Sequence, residues 1–426
     1  MTLIFDDTFA RRCRQEFPGL HRLGADGRPA VFLDGPAGTQ VPQSVIDAMC
    51  DYLRRCNANT GGAFSTSRES DRWLCDALQA LADFVGAGDY REIVFGQNMT
   101  SLTFQFSRAL AQTWSPGDEI VVTRLDHDAN VSPWVQAAQE RGVNVRKIEV
   151  VPEDGTLRLD QLRDALHERT RLVAVGCASN LTGGINPVRT ICGWAKEVGA
   201  VTYLDAVHYG PHGFIDVVDW GCDFLACSTY KFFGPHLGVL WGRRELLASL
   251  PAYKVRPSSN ELPWRWMAGT QSHEVIAGAL ACVDYLAGLG RELTAQPGLA
   301  RRAALKVAFE QIHRYETELA WRLIEGLQQL EGARIYGISE RSRASERFST
   351  VSWAQDSCSA AELSRELGAR DVYTWSGNFY AQEFTEQLGL EPTGLLRIGL
   401  VHYNTMEEVD RCLEEINAVL ESRVCV

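Results

Sequence analysis

One lysine in the run CSTYKFFGPHLGVLWG, residues 227–242, stands between aromatic side chains and a series of glycines and small apolar residues. Lys231 is open to two readings there. Its stem runs past the aromatics to keep an ammonium in water, or the amine is desolvated, lowered in pKa and able to form a Schiff base. Asp205 bears on the choice. In TYLDAVHYG it ends the apolar strand AVTYL, where a carboxylate is costly unless paired; a buried salt bridge, a helix cap or a bound cation each supplies that pairing. A third place is VFGQNMTSLTF, in which a strand ends at Gly96 and a helix begins near Met99. Free N–H groups of a helix start, with the Thr100 hydroxyl, suit a phosphate; an ordinary N-cap accounts for the same residues.

The elements that would position these groups are legible as an alternation. Short apolar runs (AVFLD, REIVFG, DEIVVTRL, NVRKIEVV, TRLVAVGCAS, AVTYLDAVHY, DFLACST, GVLWG) alternate with stretches of helical apolar spacing such as SVIDAMCDYLRRC and VRTICGWAKEVGA. That pattern implies a mostly parallel sheet covered by helices, whose strands bind ligands at their carboxyl ends. At 426 residues the chain is long enough for two packed domains. Residues 1–30 are expected to form an arm on the small domain, 31–275 a large α/β domain, and 276–426 a smaller α+β domain with long helices over 299–331. The loop RPSSNELPWRWMAGTQSHE connects the two domains. A formal net charge of −12 argues against nucleic-acid or anionic-membrane partners. No run reaches the ~18 consecutive apolar residues of a membrane span. The N-terminal residues do not read as a secretory signal. Twelve scattered cysteines, with no CxxC pair and no zinc-like cysteine and histidine spacing, read as reduced cytoplasmic thiols, and no metal site is expected.

A lysine for an aldehyde, an aspartate for a pyridine nitrogen and donors for a phosphate are the requirements of a pyridoxal 5'-phosphate site. From FLDGPAGTQVP to VHYNTMEEVDRCLEEI the sequence resembles the class V aminotransferase group of fold-type I enzymes that use this cofactor, specifically cysteine desulfurases and selenocysteine lyases. The resemblance implies a large domain with a mainly parallel seven-stranded sheet plus a smaller α+β C-terminal domain. It assigns Asp205 to the pyridine nitrogen and Lys231 to the Schiff base. Ser228 and Tyr230, with the backbone at Met99 and Thr100, become the phosphate cradle, Tyr230 replacing a histidine usual in relatives. RLDHDANVSPW makes His127 the ring that stacks on the cofactor. ASNLTGG places Asn180 at the phenolic oxygen, with His208 nearby where relatives often have glutamine; ordinary turn chemistry is the other reading of Asn180. Gly269 and Thr270 of MAGTQS resemble a segment that reaches the neighbouring subunit's phosphate, implying a homodimer; a plain linking loop is the alternative. LLRIGLVHYNT makes Arg397 the partner of a substrate carboxylate, against the alternative of a surface ion pair.

The resemblance breaks at the sulfur acceptor. Relatives in the selenocysteine-lyase-like branch carry a cysteine where this chain reads SGNFYA, so that Tyr380 takes the nucleophile's place beside Asn378 and Phe379. A phenol with a reference pKa of about 10 does not form a persulfide. No cysteine lies between residues 359 and 411, and Cys358 is expected to be an exposed turn thiol. An expected arginine just upstream is also missing, Tyr373 or Thr374 being nearest to it. With Lys231 as base, the leading expectation is therefore α,β-elimination from an amino acid with a β-leaving group, Tyr380 lining the substrate pocket with Asn378 and protonating that group. Epimerisation or racemisation, with Tyr380 or His127 on the opposite face, comes second, alongside cyclising chemistry. Transamination is third, and a non-catalytic cofactor-binding protein is the remaining class. PWRWM, Phe379 and Tyr380 suggest room for an aromatic or apolar part of the substrate.

Overall fold

A computed structural model describes residues 3–424. Its largest sheet has seven strands in the order β2-β8-β7-β6-β5-β3-β4. They are β2 (Ile93–Gly96), β3 (Glu119–Thr123), β4 (Asn144–Ile148), β5 (Thr170–Gly176), β6 (Val201–Asp205), β7 (Phe224–Ser228) and β8 (Gly238–Gly242). Only β8 runs antiparallel to its neighbours. The central strands are apolar along nearly their whole length because helices cover both faces. By contrast β4, NVRKI, alternates exposed and half-buried residues at the sheet edge. Its charged side chains blunt that edge.

The first of the eight apolar runs departs from the expected sheet. Val31–Phe32 (β1) pairs in parallel with Val372–Tyr373 (β11), outside the large sheet. The Val31 and Leu33 N–H groups donate to the Asp371 (2.8 Å) and Tyr373 (3.0 Å) carbonyls, and Phe32 meets Tyr373 in a T-shaped contact with ring centroids 5.0 Å apart. A short run that buries both faces fits either position, and local pattern does not choose between them. Its consequence is to deliver the loop 34–39 beneath Lys231.

The C-terminal region carries a four-stranded antiparallel sheet in the order β12 (Trp375–Gly377), β13 (Leu395–Gly399), β10 (Thr350–Gln355) and β9 (Ala333–Tyr336). The helices Arg301–Leu327 and Met406–Val424 pack on each other beside it. The N-terminal helix Asp7–Arg14, capped by the Asp6 carboxylate, lies against this pair. Asp7 accepts hydrogen bonds from the Met406 backbone N–H (2.8 Å) and the Tyr315 hydroxyl (3.1 Å). Arg14 pairs with the largely buried Glu408 at 2.8 Å. The helix His273–Thr294 packs on Gln43–Arg55, Ser65–Val85 and Arg301–Leu327, so it joins the regions rather than separating them. Among the described residues no helix is long and apolar enough to cross a membrane.

Candidate active site

A cavity of about 800 Å³ opens at the carboxyl ends of β3, β5, β6 and β7. Lys231, Asp205, His127, Asn180 and His208 all line it, together with Ser228, Tyr230 and the start of the helix Met99–Ala111. Sequence positions more than 100 residues apart meet there because the strand order brings β3 and β7 to either side of β5 and β6.

Lys231 sits in a single 3₁₀ turn after β7. Its Nζ donates to the carbonyl oxygens of Pro36 and, at 3.1 Å, Ala37. Burial, aided by the charge of Arg397 and opposed by Asp205, brings the amine down to about 7. Such a group is substantially neutral, and therefore nucleophilic, near neutral pH. The snorkelling alternative does not hold, since the amine ends on the Pro36 and Ala37 carbonyls at the cavity rather than at the outer surface.

Asp205 ends β6 at 6 % exposure, with one carboxylate oxygen accepting from the Val207 N–H at 2.8 Å. Burial raises its pKa to about 6, while the Val207 N–H and the Lys231 charge pull the other way. A cation brought into the cavity would complete its pairing.

The helix start does two things at once. Asn98 caps it, accepting from the Ser101 N–H at 2.9 Å. The Met99 N–H donates to Ser228 Oγ at 3.0 Å, which ties the end of β7 to the helix while Thr100 faces the cavity. Tyr230 stacks on His236 with centroids 4.8 Å apart, and its ring centroid lies 4.8 Å from Lys231 Nζ.

On the other wall, His127 Nδ1 accepts from the Ala129 N–H at 3.0 Å, which leaves the ring proton on Nε2. Burial, then the charges of Lys231 and Arg397, hold this imidazole down to about 4. Tyr380 stacks on it with centroids 5.1 Å apart and 26° between planes. The phenol is 70 % exposed, at the cavity mouth. Phe379 and Tyr380 both adopt positive φ (55° and 60°), unusual for aromatic residues. Two hydrogen bonds hold that conformation: Asn180 Nδ2 donates to the Phe379 carbonyl (2.9 Å) and the Asp128 N–H to the Tyr380 carbonyl (2.7 Å).

Arg397, in β13, is 5 % exposed and forms no ion pair among the described residues, so the surface-pair alternative falls away. Its Nη1 donates to the Asn180 carbonyl at 2.8 Å, and the guanidinium lies 4.0 Å over the Phe379 ring. Burial lowers it to about 9, against the opposing charges of Asp34 and Tyr230.

Several expectations are corrected. Cys358 is buried at 3 % exposure and joins the core, because the tight turn bridging Gln355 to Cys358 directs it inward. The PWRWM loop does not line the cavity: Trp266 is buried, stacked on Phe106 at 4.3 Å, and donates to the Leu247 carbonyl. Asn378 is turned away too, donating to Glu391 at 2.8 Å and accepting from the Tyr380 N–H. Gly269 and Thr270, expected to serve a neighbouring subunit, are exposed in a separate depression with Asn59, Thr60 and His273, away from this chain's own cavity, which leaves that expectation as it stood.

Sequence reasoning missed Asp126. It is buried on the cavity floor, accepting from Thr123 Oγ1 and, at 3.1 Å, Asn130 Nδ2, and burial pushes it up to about 7. It pins the loop that aims His127. The carboxylate beside a histidine in LDHDAN was the available signal. The carbonyls of Pro36 and Ala37 were not foreseeable, since any residue supplies a carbonyl.

A lowered amine, an underpaired buried carboxylate, a flat imidazole and a helix start around one cavity fit pyridoxal phosphate. Among the described residues no cluster of three or more side chains fits a metal ion. The class-V aminotransferase family model matches residues 31–298 and 298–412. The chain is 32% identical over 429 residues to a cysteine desulfurase of Pectobacterium carotovorum, covering 96% of this chain and 98% of that protein. A probable cysteine desulfurase 2 of Mycobacterium leprae is also 32% identical, over 440 residues and 99% of both chains. The apo structure of a cysteine desulfurase from Thermococcus onnurineus NA1 superposes with a TM-score of 0.83 at 25% identity, over 96% of this chain and 98% of that one. The fold of an Escherichia coli cysteine desulfurase in its S-sulfonic acid form matches with a TM-score of 0.82 at 24% identity, over 97% and 99%. This chain belongs to the class-V aminotransferase family of pyridoxal-phosphate-dependent enzymes.

Proposed function

We propose that this enzyme removes a β-leaving group from an amino acid by α,β-elimination, as a carbon–sulfur-lyase-like reaction with no persulfide on the protein. The observation that carries this reading is that no cysteine lines the cavity among the described residues, while a phenol, Tyr380, stands at its mouth on His127. When bound, pyridoxal phosphate would supply an aldehyde that condenses with an amine to a Schiff base and an electron-withdrawing ring that stabilises negative charge at the substrate α-carbon.

The chain's own groups then have distinct tasks. Asp205 pairs with the protonated ring nitrogen, and its burial strengthens that pairing. The helix start at Met99 and Thr100, with Ser228 and Tyr230, holds the phosphate. Asn180 and His208 face the ring's oxygen side, and His127 covers the ring. Arg397, buried and short of partners, takes the substrate carboxylate. The Lys231 amine would hold the cofactor, and the same amine would take the proton from the substrate α-carbon. As the bond to the β-substituent breaks, the Tyr380 hydroxyl delivers a proton to the departing atom. A Cα–Cβ double bond is left, and water then releases a keto acid and ammonia. Gly269 and Thr270, outside their own cavity, complete the phosphate site of a second subunit in a homodimer.

Incubation with a panel of amino acids in heavy water tests the reading. Keto acid and ammonia in equal amounts, with no sulfur bound to protein, are expected. Deuterium exchange with loss of configuration and no keto acid would instead make the enzyme an epimerase, and persulfide on Cys358 would restore the desulfurase reaction.

A further inference from the structure

Behind the cavity wall, and behind His208, lies a run of buried polar side chains to which that scheme gives no task. His208 forms part of the wall at 5 % exposure, and its Nε2 has no hydrogen-bond partner. The His212 ring meets it edge-on with centroids 5.2 Å apart. His212 is itself buried, with Nδ1 2.6 Å from Glu316 Oε2 on the helix Arg301–Leu327, 104 positions along the chain. The Phe348 ring stacks on His212 at 5.1 Å. Ser349 Oγ lies 3.2 Å from the same carboxylate oxygen, and Glu316 Oε1 has no partner.

An isolated carboxylate in this core would be costly, and so would an isolated imidazolium. One proton shared across the 2.6 Å contact relieves both. The groups around His208 come from every side: Asp205 on β6, Lys231 after β7, Arg397 on β13 and His212 on its own loop. His313, near Glu316 on the helix, and His402, after β13, also face His212. Burial, then the charges of His212, Arg397 and Lys231, hold His208 well below the usual imidazole range.

We propose that His212 and Glu316 are positioning residues: by keeping one proton between them in the core, they fix His208 as a neutral imidazole in one orientation, so that it hydrogen-bonds the bound cofactor ring. A further cation beside the buried Arg397 is thereby avoided. The role rests on the cavity being the cofactor site, and a control separates the two. Wild type given pyridoxal phosphate should show a visible absorbance band that Lys231→Ala lacks; no band in wild type would sink the cavity reading and this role with it.

Given the band, its pH titration is compared among wild type, His208→Gln, Glu316→Gln and the double variant. Each single variant is expected to move the midpoint by more than about half a pH unit. The double variant should move it no further than His208→Gln alone, because the pair acts through His208. An unmoved midpoint in Glu316→Gln, or additive shifts, overturns the role, whatever happens to thermal stability. Should Glu316→Gln fail to fold, the ring nitrogen resonances of His208 in the wild-type holoenzyme decide. A neutral tautomer unchanged from about pH 6 to about pH 8 supports the role, and proton uptake in that range overturns it.

Discussion

Arg347 and Arg397 are both buried, both in or beside the C-terminal antiparallel sheet, and both reach the loop that follows β5. Arg347, 2 % exposed, donates to four backbone carbonyls: Phe348 (3.0 Å), Ile338, Thr182 (3.3 Å) and Thr350. Arg397, 5 % exposed, donates to one carbonyl, that of Asn180, and lays its remaining surface on the Phe379 ring. Burial lowers the first to about 10 and the second to about 9. The difference lies in completion. A guanidinium spread over four carbonyls clamps the C-terminal sheet to the Thr182 loop, whereas Arg397, with one carbonyl, keeps donors free for the carboxylate proposed as its partner.

The largest expected effect breaks the comparison at the site. Arg397→Leu should lower kcat/KM by about 10³-fold through loss of the buried charge partner, with the melting temperature close to wild type. An equal loss of stability would make Arg397 a second clamp. Next, Arg347→Met strands several carbonyls and should cost about 3 kcal/mol of folding stability, read by urea denaturation, while KM of the folded fraction stays put. A raised KM there would move Arg347 into the site.

The same separation of filling from acting applies to Tyr380. Tyr380→Phe keeps the ring on His127 but removes the proposed acid, so kcat should fall about 10²-fold with little change in KM or stability. An unchanged kcat would leave the phenol as a cover for the imidazole. The smallest effect belongs to a third kind of arginine, the exposed Arg146, whose partner Glu119 is held down to about 2 by hydrogen bonds from Arg146 and then His167. A depressed carboxylate contributes stability above its unfolded pKa, lost as pH falls from about 4.5 towards about 2. Arg146→Gln should therefore narrow the acid-induced fall in stability, while shifting the neutral-pH melting temperature by less than ~2 °C.

Much of the site was legible in sequence because its residues break a local pattern. Asp205 and Lys231 interrupt apolar strand ends, and Asn98 to Ser101 carry a helix start. The seven runs from REIVFG to GVLWG fall in the seven strands of the large sheet. What escaped has no local signature. AVFLD is equally apolar in either sheet, Cys358 turns inward through one tight turn, and the PWRWM aromatics fill core instead of cavity.

The sequence by itself determined the alternation of strands and helices, the family resemblance and the types of group a cofactor would need, because periodicity and residue chemistry are local properties. Only the tertiary structure decided which arginine is satisfied, that Lys231 rests on the Pro36 and Ala37 carbonyls, and that Tyr380 stacks on His127. Those outcomes depend on burial and on hydrogen-bond partners drawn from distant parts of the chain, and a count of partners exists only after folding has brought them together.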